Sequence, residues 1–153
     1  MKRFAALILI MLLVFSCCSA LASLRVSCPA GGFSLNLPDR FREGSLDPAH
    51  NPELCFNWYA DDNSLSVTAY ASDMGEVALS DLFQVLDGTE KESGEVKING
   101  MRMLYARTDS SVMYSWMDRG NNVTLYFYFS SDNASARSTV DSIIGSVSFD
   151  AGH

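Results

Sequence analysis

Val123-Thr124-Leu125-Tyr126-Phe127-Tyr128-Phe129 is the stretch whose reading decides the fold. Val123, Leu125, Phe127 and Phe129 fall on one face, and Thr124, Tyr126 and Tyr128 on the other. Seven residues of period-2 alternation, rich in aromatic and β-branched side chains, predict a strand. The apolar face requires a core. An edge strand this long and apolar invites aggregation, so the segment is expected at the centre of a sheet.

Reading backwards, Val112, Tyr114 and Trp116 alternate with Met113, Ser115 and Met117, and Arg119 to Asn122 turns the chain into the first segment. Asn99-Gly100 is the favoured two-residue hairpin dipeptide, because both turn residues need positive φ. It joins Glu95–Ile98 to Met101–Thr108. Glu95 to Ser130 is therefore expected to be a four-stranded antiparallel meander. Reading forwards, Ser131 or Asp132 is positioned to cap a helix with Ala136, Val140, Ile143 and Ile144 on its buried stripe. Gly145 ends that helix, and Val147 and Phe149 begin a last short strand.

The first half is strand-rich. Leu24, Val26 and Cys28 alternate, as do Phe33, Leu35 and Leu37 before Pro38. Arg40 to Glu53 lacks periodicity and reads as a long loop. Cys55–Ala60 and Leu65–Ala71 form a hairpin around Asp61-Asp62-Asn63-Ser64, whose spacing is that of a turn and not of a calcium loop. Leu79, Leu82, Phe83 and Leu86 give a helical stripe, with Ser80 placed to cap its start and Gly88 its end. The order predicts an α+β domain with a central antiparallel sheet and two main helices packed on it.

Particular segments carry a resemblance. Phe33-Ser34-Leu35-Asn36-Leu37-Pro38, the hairpin from Glu95 to Tyr105, and Ser142-Ile143-Ile144-Gly145-Ser146-Val147-Ser148-Phe149 resemble the opening strand, central hairpin and closing helix-to-strand segment of the PsbP-like proteins. The resemblance spans Phe33 to Phe149. It implies an α/β/α sandwich, in a family that includes a photosystem extrinsic subunit, a nuclear Ran-binding protein and many exported bacterial proteins. Its members generally bind or assemble and are not enzymes. The cysteine pair and the 40–53 loop have no counterpart in the family pattern.

Lys2 and Arg3 precede an apolar run from Phe4 to Phe15 that is short for a membrane span, and Ala20-Leu21-Ala22 offers small residues at −3 and −1. Residues 1–22 thus read as a secretory signal and residues 23–153 as one domain. The alternative is lipidation at Cys17, within the lipobox-like Val14-Phe15-Ser16-Cys17, which would anchor the chain to a membrane. Without Lys2 and Arg3 the formal charge of −7 becomes −9. That balance opposes nonspecific binding to nucleic acid or anionic lipid. Cys17 and Cys18 leave with the signal. Cys28 and Cys55 remain, and in an oxidising compartment they are expected to pair as a disulfide. Metal ligation has no CxxC or histidine spacing to support it.

No nucleophile elbow, phosphate loop or dinucleotide fingerprint is present, and no cofactor is called for. The histidines are His50, in the loop, and His153. A small secreted hydrolase would have to build its site around His50 with Asp39 or Asp47. The favoured expectation is a non-catalytic exported binding or accessory module. Its candidate recognition residues are Trp58, Trp116 and Tyr126, aromatics of the kind that anchor interfaces. The bland reading of the same residues is that they pack inside the core.

Overall fold

The computed structural model describes residues 23–45, 49, 51–73, 75, 86, 92–130 and 133–150. Residues 1–22, with the expected signal and the lipobox, lie outside the described residues. So do His50, Asp47, His153 and the expected helix at 79–86 apart from Leu86.

The strands are β1 (Ser23–Cys28), β2 (Phe33–Pro38), β3 (Phe41–Glu43), β4 (Leu54–Ala60), β5 (Leu65–Ser72), β6 (Glu92–Ile98), β7 (Met101–Arg107), β8 (Ser111–Asp118), β9 (Asn121–Phe129) and β10 (Ser148–Phe149). One helix, α1 (Ala134–Gly145), precedes β10. All ladders are antiparallel. One sheet runs β3-β4-β5-β9-β8-β7-β6, and a smaller one runs β1-β2-β10.

The stretch 123–129 lies in β9, the middle strand of the seven. Its apolar face is fully buried at Val123, Leu125 and Phe127. Each such side chain contributes about 1.5–3 kcal/mol through burial. Ladder partners extend that face to Val67 and Ala69 on β5 and to Val112, Tyr114 and Trp116 on β8. The meander forms as expected from β6 to β9. Asn99 (φ 47°) and Gly100 (φ 93°) make its first turn, between the paired Ile98 and Met101. The Asn99 side chain also donates to the Gly145 carbonyl at 3.3 Å, tying this turn to the end of α1.

The expected architecture needs a correction. The described residues form two antiparallel sheets with one helix, dominated by strand, not one central sheet carrying two main helices. Alternation identifies a strand but does not say which sheet it joins. A one-turn 3-10 helix, Pro29–Gly31, folds β2 back on β1, and β10 pairs with the other edge of β2. Leu35, Leu37, Phe33 and Val26 of this small sheet then share one core with Val140, Ile143 and Ile144 of α1 and the apolar face of the large sheet. A second, three-stranded sheet thus joins α1 in the core on the apolar face of the large one.

The 40–53 segment is not all loop either. Phe41–Glu43 forms β3, with Phe41 buried and opposite Ala60. Three residues are too few for alternation to register. The cap of α1 is Asn133, whose side chain accepts from the Ala136 N–H at 3.0 Å.

Candidate functional site

Trp58 projects from the core side of β4, between Glu43 on β3 and Val67 on β5. The start of β1 passes nearby. Between these elements lies an open groove of about 520 Å³, lined by Ser23, Leu24, Asp39, Phe41, Arg42, Glu43 and Trp58. Its floor is apolar. Leu24, 40% exposed, is among the few large apolar side chains left open to solvent among the described residues. The Trp58 Nε1–H is buried and finds no acceptor among the described residues. A buried donor without a partner costs about 1–3 kcal/mol.

The rim of this groove is polar and uneven in charge. Arg42 is held by Asp61 at 3.0 Å and donates to the Asp39 carbonyl at 3.3 Å. Asp39 and Glu43 remain as exposed carboxylates on the rim. The arrangement suits an apolar side chain entering the groove, with a positive group near the rim.

Trp116 lies elsewhere. It is 3% exposed, and its ring meets Phe33 edge-on at 5.1 Å and Phe149 at 5.9 Å. It also borders a hollow of about 200 Å³ lined by Glu95, Arg102, Leu104, Ser115, Met117 and Asn122. There Arg102 Nε donates to Glu95 Oε2 at 2.8 Å, with a second bond between Arg102 Nη2 and Glu95 Oε1. These hydrogen bonds hold the Glu95 carboxyl below its ordinary range. Asn122 Nδ2 donates to Ser115 Oγ at 3.0 Å.

Tyr126 points from the opposite face of the large sheet. It packs against the small cluster of Leu86, Ala106 and Met113. The three aromatics singled out in the sequence therefore occupy three separate places, and the structure does not assemble them into one surface. No group of three or more His, Cys, Asp or Glu suited to a metal ion occurs among the described residues.

Cys28 and Cys55 do come together. Cys28, at the end of β1, is fully buried, and Cys55 on β4 is half-buried. Both are free thiols in the structure. The Cys55 thiol beside Cys28, followed by burial, pushes the Cys28 thiol far up. The neighbouring Cys28 pulls the Cys55 thiol down, and Cys55 Sγ donates to the Glu53 carbonyl at 3.9 Å. The Asp118 carboxylate, 2% exposed, adds its negative charge on the Cys28 side. Gly32 lies against it with φ +63°, and a Cβ there would overlap a carboxylate oxygen.

Sequence reasoning missed Leu24, Phe41 and Asp118 as site residues. Leu24 and Phe41 belong to short segments whose apolarity is unremarkable. Asp118 precedes the Arg119-Gly120 turn, where an acidic residue reads as turn chemistry.

Comparisons with known proteins support the fold. The solution structure of cyanobacterial PsbP (CyanoP) from Synechocystis sp. PCC 6803 superposes with a TM-score of 0.63 at 12% identity. The match covers 86% of this chain and 95% of that one. A crystal structure from Bacteroides thetaiotaomicron VPI-5482 gives a TM-score of 0.54 at 14% identity. It covers 82% of this chain, which spans 47% of that longer one. The sequence matches no family profile and no curated protein. The likeness is one of fold, and the fold is PsbP-like.

Proposed function

We propose that this PsbP-like domain is an exported, non-catalytic binding module that takes an apolar side chain of a protein partner into the Trp58 groove. The observation that carries the reading is the open apolar groove that the half-buried Trp58 ring lines with the exposed Leu24 and the buried Phe41. Asp39 and Glu43 on the rim favour a lysine or arginine next to the apolar anchor. Export is supported by the Lys2–Ala22 pattern. No helix among the described residues is long and apolar enough to cross a membrane.

Capture of partners from the extracytoplasmic fraction tests this reading. Trp58→Ala is expected to lose the captured protein, while Tyr128→Ser on the opposite sheet face keeps it. Equal capture by both variants contradicts the groove as the binding surface. Purified protein that hydrolyses a substrate, with the activity lost in His50→Ala, contradicts the non-catalytic reading.

A further inference from the structure

We propose that Cys28 and Cys55 close into a disulfide that bolts the three-stranded sheet to the seven-stranded sheet, with Cys55 as the sulfur that reacts first. Among the described residues no ladder joins the two sheets. They are held by shared side-chain packing and by contacts such as Asn121 Nδ2 to the Ala30 carbonyl at 3.2 Å. Cys28 ends a strand of the small sheet, and Cys55 belongs to a strand of the large one.

Two local features bring the sulfurs together. The β4–β5 register shifts between Leu54 and Phe56, leaving Cys55 without a ladder partner. Such an irregularity re-aims a side chain, and here Cys55 packs against the core that contains Cys28. On the other side, the Pro29–Gly31 turn that follows Cys28 packs against β4, β5 and β9. The rings of Phe33, opposite Cys28, and Phe56, next to Cys55, meet at 6.0 Å and fix the approach. A Cβ on Gly31 would come within 2.9 Å of the Cys28 sulfur, so glycine keeps that space open.

Exposure sets the order of reaction. Cys28 is fully buried and Cys55 is half-buried, so an oxidant reaches Cys55. The thiolate is the attacking form. Cys55 attacks one sulfur of a small-molecule disulfide, and one thiolate leaves. The Cys28 sulfur then attacks the Cys55 sulfur of the mixed disulfide. The second small thiol leaves with the Cys28 proton. Two protein thiols are oxidised and one external disulfide is reduced to two thiols. The product places no charge beside the buried Asp118, unlike a Cys28 thiolate.

The proposal rests on the export reading only for the source of oxidant, and the test separates the two. The reduced full chain is incubated with oxidised glutathione, alkylated and digested with trypsin. Cys28 falls in the Val26–Arg40 peptide, Cys55 in Glu43–Lys91, and Cys17 and Cys18 in Phe4–Arg25. The expected product links the first two peptides, and reductant separates them. Alkylated, unlinked Cys28 and Cys55 peptides would overturn the bond, whatever the compartment. In Cys28→Ser, glutathione is expected to remain on Cys55. In folded Cys55→Ser, Cys28 is expected to stay unmodified. The opposite pattern would overturn the order of attack. If either variant fails to fold, alkylation rates of the reduced wild type decide the order, with Cys55 expected to label faster. A pair that closes with glutathione but is reduced in its native setting contradicts export and leaves the bond standing.

Discussion

Trp58 and Trp116 face the same side of the seven-stranded sheet, and each has an indole N–H buried without an acceptor among the described residues. Their surroundings differ. At the closed end, Trp116 is wedged between Phe33 and Phe149. At the open end, Trp58 borders a groove shared with Leu24 of β1 and Phe41 of β3. The unmet donor at Trp116 is sealed inside the core and compensated by aromatic packing. At Trp58 the donor is buried as well, but the half-buried ring borders an open groove that a partner can reach. Residue type alone does not mark a binding site. The element that covers it, or does not, makes the difference.

The largest expected break in this comparison is Trp116→Ala, which should destabilise the fold by about 3–5 kcal/mol in urea denaturation. A loss as small as that of Trp58→Ala would mean the closed end is not closed. Next is Gly32→Ala, which forces a side chain into a left-handed backbone and onto Asp118. The backbone conformation alone accounts for about 1–2 kcal/mol, and Gly32→Asn should recover less than an unstrained site would allow. Trp58→Ala, at a half-buried position, is expected to cost about 1–3 kcal/mol. Trp58→Phe should stay within about 1 kcal/mol, since it also removes the unmet donor.

These contrasts bear on what the sequence could reveal. The closed end was legible, because Val112, Tyr114 and Trp116 alternate in step with Val123 to Phe129 and Asn99-Gly100 announces its own turn. The stripe Ala136, Val140, Ile143 and Ile144 likewise placed α1. The open end was not legible. Phe41 forms a strand too short to show a period, and only tertiary pairing with β4 makes it one. The division into two sheets was hidden for the same reason, since Leu24 to Leu37 alternates equally well in either. Cys28 and Cys55 were visible as a pair, but the register shift that turns Cys55 inward was not.

The smallest expected effect is at the solvent side of the closed end. Arg102 holds the Glu95 carboxyl below its ordinary 4.5. A depressed folded-state pKa stabilises the fold above the ordinary value and loses that contribution as pH falls through the folded one. Both side chains are well exposed, so the effect should be visible in the NMR titration of Glu95 and barely in thermal unfolding. In Arg102→Met the Glu95 midpoint should return towards 4.5. An unchanged midpoint would deny the ion pair.

The central claim concerns the open end, and the two tryptophans give two indole N–H signals to follow it. The direct measurement is a two-dimensional proton–nitrogen NMR titration with short peptides that each carry one apolar anchor beside a lysine or arginine. The account predicts that the Trp58 indole signal moves saturably as its ring takes part in the contact, while the Trp116 signal stays in place. Movement of Trp116 with Trp58 unmoved, or no movement of either signal with any such peptide, would contradict it.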